Sequence, residues 1–328
     1  MKFLGHDISA LGMGCWPIGG EMFFGDQSLG YAGADDATSI KTIHAALAGG
    51  ISLFDTAAAY GAGHSERLLA KALKNRPDAL VVTKIGHGID EQSKQISFGK
   101  FSPDMVQQSI EDCLRRLARD RIDVLLLHVN DMEVSKAEAI FDEFEKARSA
   151  GKIRAYGWST DISQSVATMA ARKGFRVIEH VMNVFFDARR IQNTVRECGL
   201  HSLIRSPLAM GLLSGKYNAT TVVPARDVRA SREDWMEYFK DGRANPELAK
   251  TLDTVRDLLQ TDGRTMVQGA LGWLWAKSET NIPIPGARTV EQIEDIAASL
   301  EFGALPAAVI AKIETLVERH PDESDRPR

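Results

Sequence analysis

Short apolar runs alternate with amphipathic stretches from about residue 35 to the end of the chain. This alternation predicts strands and helices in turn, as in βα units around a parallel sheet. Several runs are nearly continuous Val, Ile and Leu, which is typical of strands covered on both faces. The runs that read as strands are residues 9–14, 51–55, 79–84, 123–128, 153–159, 177–186, 202–208 and 281–286.

The stretches between these runs carry helical periodicity and helix end signals. Residues 35–50 begin with Asp and Thr cap candidates and end at a Gly pair, and residues 102–120 begin with a Ser-Pro pair. Eight βα units favour a (β/α)8 TIM barrel over an open sheet. With no linker or repeat dividing it, the chain is expected to be a single domain, residues 1–328. Further helices are predicted at 138–152, 163–174, 189–199, 246–260 and 290–301, and one beyond the barrel's needs at 306–320.

One long gap interrupts the alternation between the seventh and eighth runs. Within it, residues 217–245 contain Trp235, Tyr238 and Phe239 but little regular period. A loop of this length inside a compact domain is usually functional or disordered. We expect it either to cover the barrel mouth as a substrate lid or to be partly disordered.

The composition favours a globular protein over a nucleic-acid-binding, membrane-bound or secreted one. The hydrophobic fraction is 44 % and the formal net charge is -4, which is ordinary for a soluble globular protein and leaves no electrostatic footprint for nucleic acid or a membrane surface. No apolar run of about 18 residues and no secretory signal pattern occurs, so a cytoplasmic location is expected. Cys15, Cys113 and Cys198 are far apart and predict reduced thiols. The histidine spacing predicts no metal site.

Polar residues at the carboxyl ends of the strands are the candidates for chemistry, because TIM-barrel active sites lie on that face. They are Asp55, Lys84, His128, Ser159, Asn183 and Ser206, with Tyr60 on the loop after the second strand. Taken singly, each has an ordinary explanation as a solvated charge, a hydrogen-bonded core residue or a packing side chain. Together they form an acid and base system. A nearby ammonium of Lys84 would lower the pKa of the Tyr60 phenol, and Asp55 would hold Lys84 charged.

Three motifs resemble the signature of the aldo-keto reductases: "FDTAAAYG" at 54–61, "VVTK" at 81–84 and "LLLH" at 125–128. "LGMGCWPIGG", "GKIRAYGWST", "SPLAMGLLSGKY" and "IPIPGARTVEQIED" resemble family segments in the same order, so the resemblance covers nearly the whole chain. It implies a barrel closed at its base by an N-terminal hairpin. It also implies hydride transfer from a reduced nicotinamide to an aldehyde or ketone, with Asp55, Tyr60, Lys84 and His128 as the catalytic tetrad and Tyr60 as proton donor.

The same resemblance implies an NADP(H) site. Ser159 and Asn183 stand where the family binds the nicotinamide carboxamide, with Asp55 beside them, and Phe186 matches an aromatic that stacks on the ring. Trp16 is expected to line this pocket or to belong to the core. The residues that match the pyrophosphate and adenosine segments are Ser206, Leu208, Gly211, Leu213, Lys216, Gly286, Arg288 and Gln292. Arg288 favours NADP over NAD, since a guanidinium suits a phosphate dianion.

Departures from the family pattern occur at Thr160, where an Asn is usual, and at Asp295 and Ile296, where Glu-Asn is usual. Two other functions stay open at this point. One is a cofactor-binding regulatory or sensor subunit with little turnover, and the other is a cofactor-free barrel lyase or isomerase that uses the same Tyr, Lys and His. In the enzyme reading the partner is a small carbonyl or alcohol, and the oligomeric state is open.

Overall fold

The eight predicted strands form one parallel sheet in the computed structural model, which describes residues 1–218 and 220–319. The strands lie side by side in chain order, and the sheet closes on itself because Gly12 N donates to Pro283 O at 2.9 Å and Gly14 N to Pro285 O at 3.0 Å. The predicted (β/α)8 barrel is thereby confirmed. Its strands are β1 (Met13–Gly14), β2 (Leu53–Asp55), β3 (Leu80–Ile85), β4 (Ile122–Leu127), β5 (Ile153–Ser159), β6 (Phe175–Val181), β7 (His201–Arg205) and β8 (Asn281–Pro283).

Helices surround the barrel. A short helical turn lies at Trp16–Gly19, and the longer helices are α1 (Asp36–Ala48), α2 (His64–Ala72), α3 (Pro103–Leu117), α4 (Val134–Ser149), α5 (Ser163–Met169), α6 (Arg189–Glu197), α7 (Pro246–Leu259), α8 (Met266–Lys277), α9 (Val290–Phe302) and α10 (Ala307–Leu316). α1 begins where predicted, with the Asp35 side chain accepting from Thr38 N at 2.8 Å. α10 is the predicted additional helix; residue 320, the end of that prediction, lies outside the described residues. No single described helix is long and apolar enough to span a membrane, although α9 and α10, bent by 120°, pass that criterion as a pair.

The N-terminal residues close one end of the barrel. Lys2–Phe3 pairs antiparallel with His6–Asp7, forming the hairpin that the family resemblance implies. Phe3 is fully buried and packs with inward-facing residues near the amino ends of the strands, among them Leu53, Leu80 and Leu203. This apolar plug occupies the base of the barrel, so the opposite end is left for the site.

Five of the predicted strands, β1, β2, β6, β7 and β8, are shorter than expected, and the early ends of β6 and β7 shape the barrel mouth. β6 ends at Val181, and the apolar residues after it form a tight turn in which Asn183 N donates to Phe186 O at 2.9 Å and Phe186 N donates back at 2.8 Å. β7 ends at Arg205 because Ser206 takes a left-handed conformation with φ of 51°. Both chain reversals place polar groups at the barrel mouth.

A small four-stranded sheet, absent from the sequence prediction, lies beside the mouth. Its strands are Phe23–Phe24, Gln27–Ser28, Gly88–Asp90 and Gln95–Ser97, and they come from the loops after β1 and β3. The two loops join where Phe23 pairs with Gln95. They build one wall of the mouth together.

The described residues of 217–245, here called the lid segment, pack against the loop that follows β1, and their role as a substrate lid stays a prediction. Val228–Ala230 is a 3-10 turn, and a short hairpin at 239–244 follows it. Val228 N donates to Gly30 O at 2.8 Å, and Ser28 Oγ donates to Arg226 O at 2.6 Å. These bonds tie the segment to the loop that follows β1.

Candidate active site

Lys84 is the centre of the site. It lies on β3 beside Asp55 at the end of β2, and its side chain is fully buried. Its Nζ donates to Asp55 Oδ1 at 2.7 Å, to Asp55 Oδ2 at 2.6 Å and to Thr56 O at 2.9 Å. A further contact is Tyr60 OH, at 3.2 Å. A bidentate carboxylate and a backbone carbonyl therefore fix the ammonium against the phenol.

The turn that carries Tyr60 is built from small residues. Gly61 has φ of +61°, and a Cβ there would lie 2.0 Å from Gly19 O, so only glycine fits this close approach. The Tyr60 ring stacks on Trp16 with ring centroids 5.9 Å apart and an interplanar angle of 17°. Trp16 is held in turn by its Nε1 donating to Leu29 O at 3.1 Å. The Tyr60 side chain is thus held by Trp16 at its ring and by Lys84 at its hydroxyl.

His128 completes the predicted group of four. It follows β4, and its ring stands edge-on to the Tyr60 ring with centroids 5.9 Å apart. Its Nδ1 has no hydrogen-bond partner among residues 1–218 and 220–319. Burial lowers the pKa of His128 well below its usual value, so the imidazole is neutral at physiological pH. The structure therefore brings Asp55, Tyr60, Lys84 and His128 together at one end of the barrel.

Charges around the phenol differ from the simple expectation. Burial raises the pKa of Tyr60; Lys84 lowers it, as the sequence suggested, but Asp55 and Glu179 raise it again, and the pKa lies above its usual value. The Lys84 ammonium alone does not set the pKa of Tyr60, because the carboxylates of Asp55 and Glu179 lie beside it. Burial, and then the charge of Glu179, raise the pKa of Asp55 well above its ordinary range.

Glu179 was missed by the sequence reasoning. It lies on β6, is 1 % exposed, and its Oε2 is 3.2 Å from Lys84 Nζ. Its Oε1 accepts from Ser159 Oγ at 3.2 Å. The available signal was a lone carboxylate in the otherwise apolar strand sequence "VIEHV".

One cavity of about 1360 Å³ opens on this group and extends across the barrel mouth. Tyr60, His128 and Glu179 line it, as do Phe24, Ile96 and Phe98 from the small sheet. Of the predicted cofactor residues, those that line it are Trp16, Asp55, Ser159, Ser206, Leu208, Gly211, Lys216, Gly286, Arg288 and Gln292. The cavity therefore joins the group of four to the segments expected to hold a dinucleotide.

Three predicted cofactor residues do not line the cavity. Leu213 is fully buried in the core. Phe186 is buried in the turn after β6, where its backbone pairs with that of Asn183. The Asn183 amide donates to Ser206 O at 3.1 Å and to Tyr238 OH at 2.8 Å, so it joins the turn after β7 to the lid segment.

Cationic and acidic side chains both line the far end of the cavity, with Glu291 among the acidic ones. Arg288 lies there, and its Nη2 donates to Ala32 O at 2.7 Å and to Gly33 O at 2.6 Å, which holds the loop after β1 against it. Arg288 N donates to Gln292 Oε1 at 2.8 Å. Lys216 and the left-handed Gly211 lie along the path from β7 to this end. Positive charge and exposed backbone amides suit phosphate groups.

No group of three or more His, Cys, Asp or Glu side chains suited to a metal ion occurs in the described ranges.

Comparison with known proteins identifies the relatives of this chain. The model of the aldo/keto reductase family matches residues 10–318. The chain is 30 % identical over 305 residues to aldo-keto reductase YhdN of Bacillus subtilis, covering 89 % of this chain and 85 % of that protein. It is 27 % identical over 317 residues to the NADH-specific methylglyoxal reductase of Escherichia coli, covering 90 % of each.

Solved structures agree. The glycerol dehydrogenase AKR11B4 from Gluconobacter oxydans superposes with a TM-score of 0.79 at 27 % identity, covering 98 % of this chain and 95 % of that one. The aldo-keto reductase AKR11C1 from Bacillus halodurans, at 23 % identity and a TM-score of 0.75, covers 97 % and 95 % and shares the fold.

Proposed function

The chain belongs to the aldo/keto reductase family, and on that premise we propose that it transfers hydride between NADP(H) and a small aldehyde, ketone or sugar-like carbonyl, with Tyr60 as proton donor. The observation that carries the proposal is the contact of Lys84 Nζ with Tyr60 OH at 3.2 Å, at the wall of the large cavity. Residues 1–328 would act as one domain. The substrate is a small carbonyl or alcohol.

Tyr60 is the proposed acid because it is the proton-bearing group fixed at the cavity wall. Its raised pKa keeps the proton on the phenol until an alkoxide, which is far more basic, forms beside it. The neutral imidazole of His128 offers one N–H donor to the same oxygen. Asp55 holds Lys84 in place, and Lys84 stabilises the phenolate left after proton transfer.

The cavity fits a dinucleotide whose reduced nicotinamide supplies the hydride. Ser206 and Gly211 have positive φ, and their turn presents backbone to the cavity beside Lys216. Arg288 at the far end suits the additional phosphate of NADP. Among the relatives one is named with NADP(+) and another as NADH-specific, so the preference is a property to be tested on this chain. No feature of the described residues favours the alternative of a regulatory subunit.

The test is reduction of a panel of aldehydes followed by the loss of NADPH absorbance. Tyr60→Phe should lower kcat by about 10²–10⁴-fold, the usual contribution of a general acid, while NADPH still binds. Tyr156→Phe is the matched control, because that phenol bonds Glu145 at 3.0 Å, behind β5, and not the cavity. A Tyr60→Phe protein as active as the parent would refute the assignment.

A further inference from the structure

A second carboxylate lies at the catalytic end of the cavity. Glu179 Oε2 and Tyr60 OH are each 3.2 Å from Lys84 Nζ, so they lie within twice that distance of each other. Glu179 also lines the cavity itself. A nicotinamide that gives hydride to a carbonyl held by Tyr60 must lie near this carboxylate.

The buried charges here do not balance. Asp55 and Glu179 are two carboxyls facing one ammonium. The other titratable groups that face them add no compensating charge: burial raises the pKa of the Cys15 thiol, and it lowers that of His128 well below the usual value and that of His180 to about 4. Arg205 is paired with Asp161. With both carboxyls ionised, the group carries one excess negative charge.

We propose that Glu179 presents a negative charge to the nicotinamide, so that the protein binds the oxidised, positively charged nucleotide more tightly than the reduced one. The inference rests on the proposed function. Hydride donation leaves a positive charge on the ring while the carbonyl carbon gains the hydride and its oxygen gains the proton of Tyr60. A carboxylate at this distance therefore eases carbonyl reduction and retards release of the oxidised nucleotide.

The preference should depend on pH. In the empty cavity a proton on the carboxyl pair removes the excess charge, and burial together with Glu179 favours that protonated state at Asp55. As the pH rises the proton is lost, and the attraction for the oxidised nucleotide grows. Affinity for NADP+ relative to NADPH should therefore increase with pH.

The experiment measures Kd for NADP+ and NADPH by tryptophan fluorescence, to which Trp16 in the cavity wall contributes, at pH 6 and pH 8. Glu179→Gln keeps the size of the side chain and its partner Ser159. It should reduce the preference for NADP+ at pH 8 by about tenfold. This is near the weak end of the attraction expected between two unit charges a few ångströms apart. It should also flatten the pH dependence. Glu179→Asp should retain most of the preference.

Glu291→Gln is the matched control, since it removes a carboxylate from the opposite end of the same cavity. Both nucleotides have the same charge at that end, so its ratio of Kd values should equal that of the parent. If Glu179→Gln leaves the ratio unchanged while both nucleotides bind, the inference is wrong and the proposed function stands. If the parent binds neither nucleotide, both are wrong.

Discussion

Replacing Lys84 by Met removes an ammonium that lies between two buried carboxyls. Its Nζ is 2.6 Å from Asp55 and 3.2 Å from Glu179, and all three side chains are buried. Breaking a buried ion pair by deleting one partner costs about 3–5 kcal/mol, chiefly because the remaining charge is left without compensation. We expect the free energy of unfolding of Lys84→Met to fall by about that amount at pH 8, together with loss of activity.

A second substitution should recover part of the loss. Glu179→Gln in the Lys84→Met background removes one of the two uncompensated carboxylates, and we expect it to return about 1–2 kcal/mol. If this second substitution stabilises the protein, the loss of stability in Lys84→Met is due to the excess of carboxylates and not to nonspecific disruption of the site. Glu179→Gln alone and Lys84→Met alone complete the double-mutant cycle.

The pH dependence of Lys84→Met follows from the raised pKa of Asp55. Loss of Lys84, which lowers that pKa, raises it further. A carboxyl whose pKa is higher in the folded than in the unfolded state stabilises the fold below its unfolded pKa, and this contribution is lost as the pH rises through the folded pKa. The variant should therefore be closest to the parent in acid and fall behind it as the pH increases.

Urea denaturation followed by tryptophan fluorescence at pH 5, 6, 7 and 8 measures each of these differences. A Lys84→Met protein as stable as the parent at pH 8 would refute the charge argument. So would a double variant less stable than Lys84→Met, because the excess of carboxylates would then not be the cause of the loss.

Three shorter predictions follow from other contacts. Gly157→Ala should prevent normal folding, as judged by soluble yield, because a Cβ there would lie 1.6 Å from Val177 O; full yield would contradict this. Arg229→Met should make the lid segment more sensitive to limited proteolysis, because Arg229 pairs with Asp227 at 2.7 Å and lies over the Tyr31 ring; unchanged cleavage would count against it. Arg288→Ala should raise KM for NADPH about tenfold and leave KM for NADH nearly unchanged, whereas equal losses would remove the phosphate assignment.

The barrel was predictable because its strands are short apolar runs separated by amphipathic helices. The predicted strand ends were wrong where apolar residues continue past the end of the strand, as in the turn after β6 that ends at Phe186. It also missed α8, in which every residue from Met266 to Trp275 is buried, so the helix has no polar face to show periodicity. The small sheet was invisible because its pairing joins Phe23 to Gln95, far apart in sequence.

The sequence predicted which side chains meet at the barrel mouth better than it predicted the charges around them. The motifs placed Asp55, Lys84 and His128 at strand ends and Tyr60 on the loop after β2, and the structure brings the four side chains together. The direction of the Tyr60 pKa required the sum of burial and of charges from three strands, including Glu179, for which the sequence offers one letter in an apolar run.

The small sheet has a consequence for engineering the specificity of this barrel. The ring centroids of Phe24 and Phe98 are 5.1 Å apart, although the two residues come from different loops. Hydrogen bonds also join these loops, including Phe23 N to Lys94 O at 2.9 Å. If only one of the two loops were replaced by that of a relative, its strand would lose its pairing partner. The small sheet that forms this wall of the cavity would then be disrupted. Exchange of substrate range should therefore succeed when both loops are moved as a single cassette.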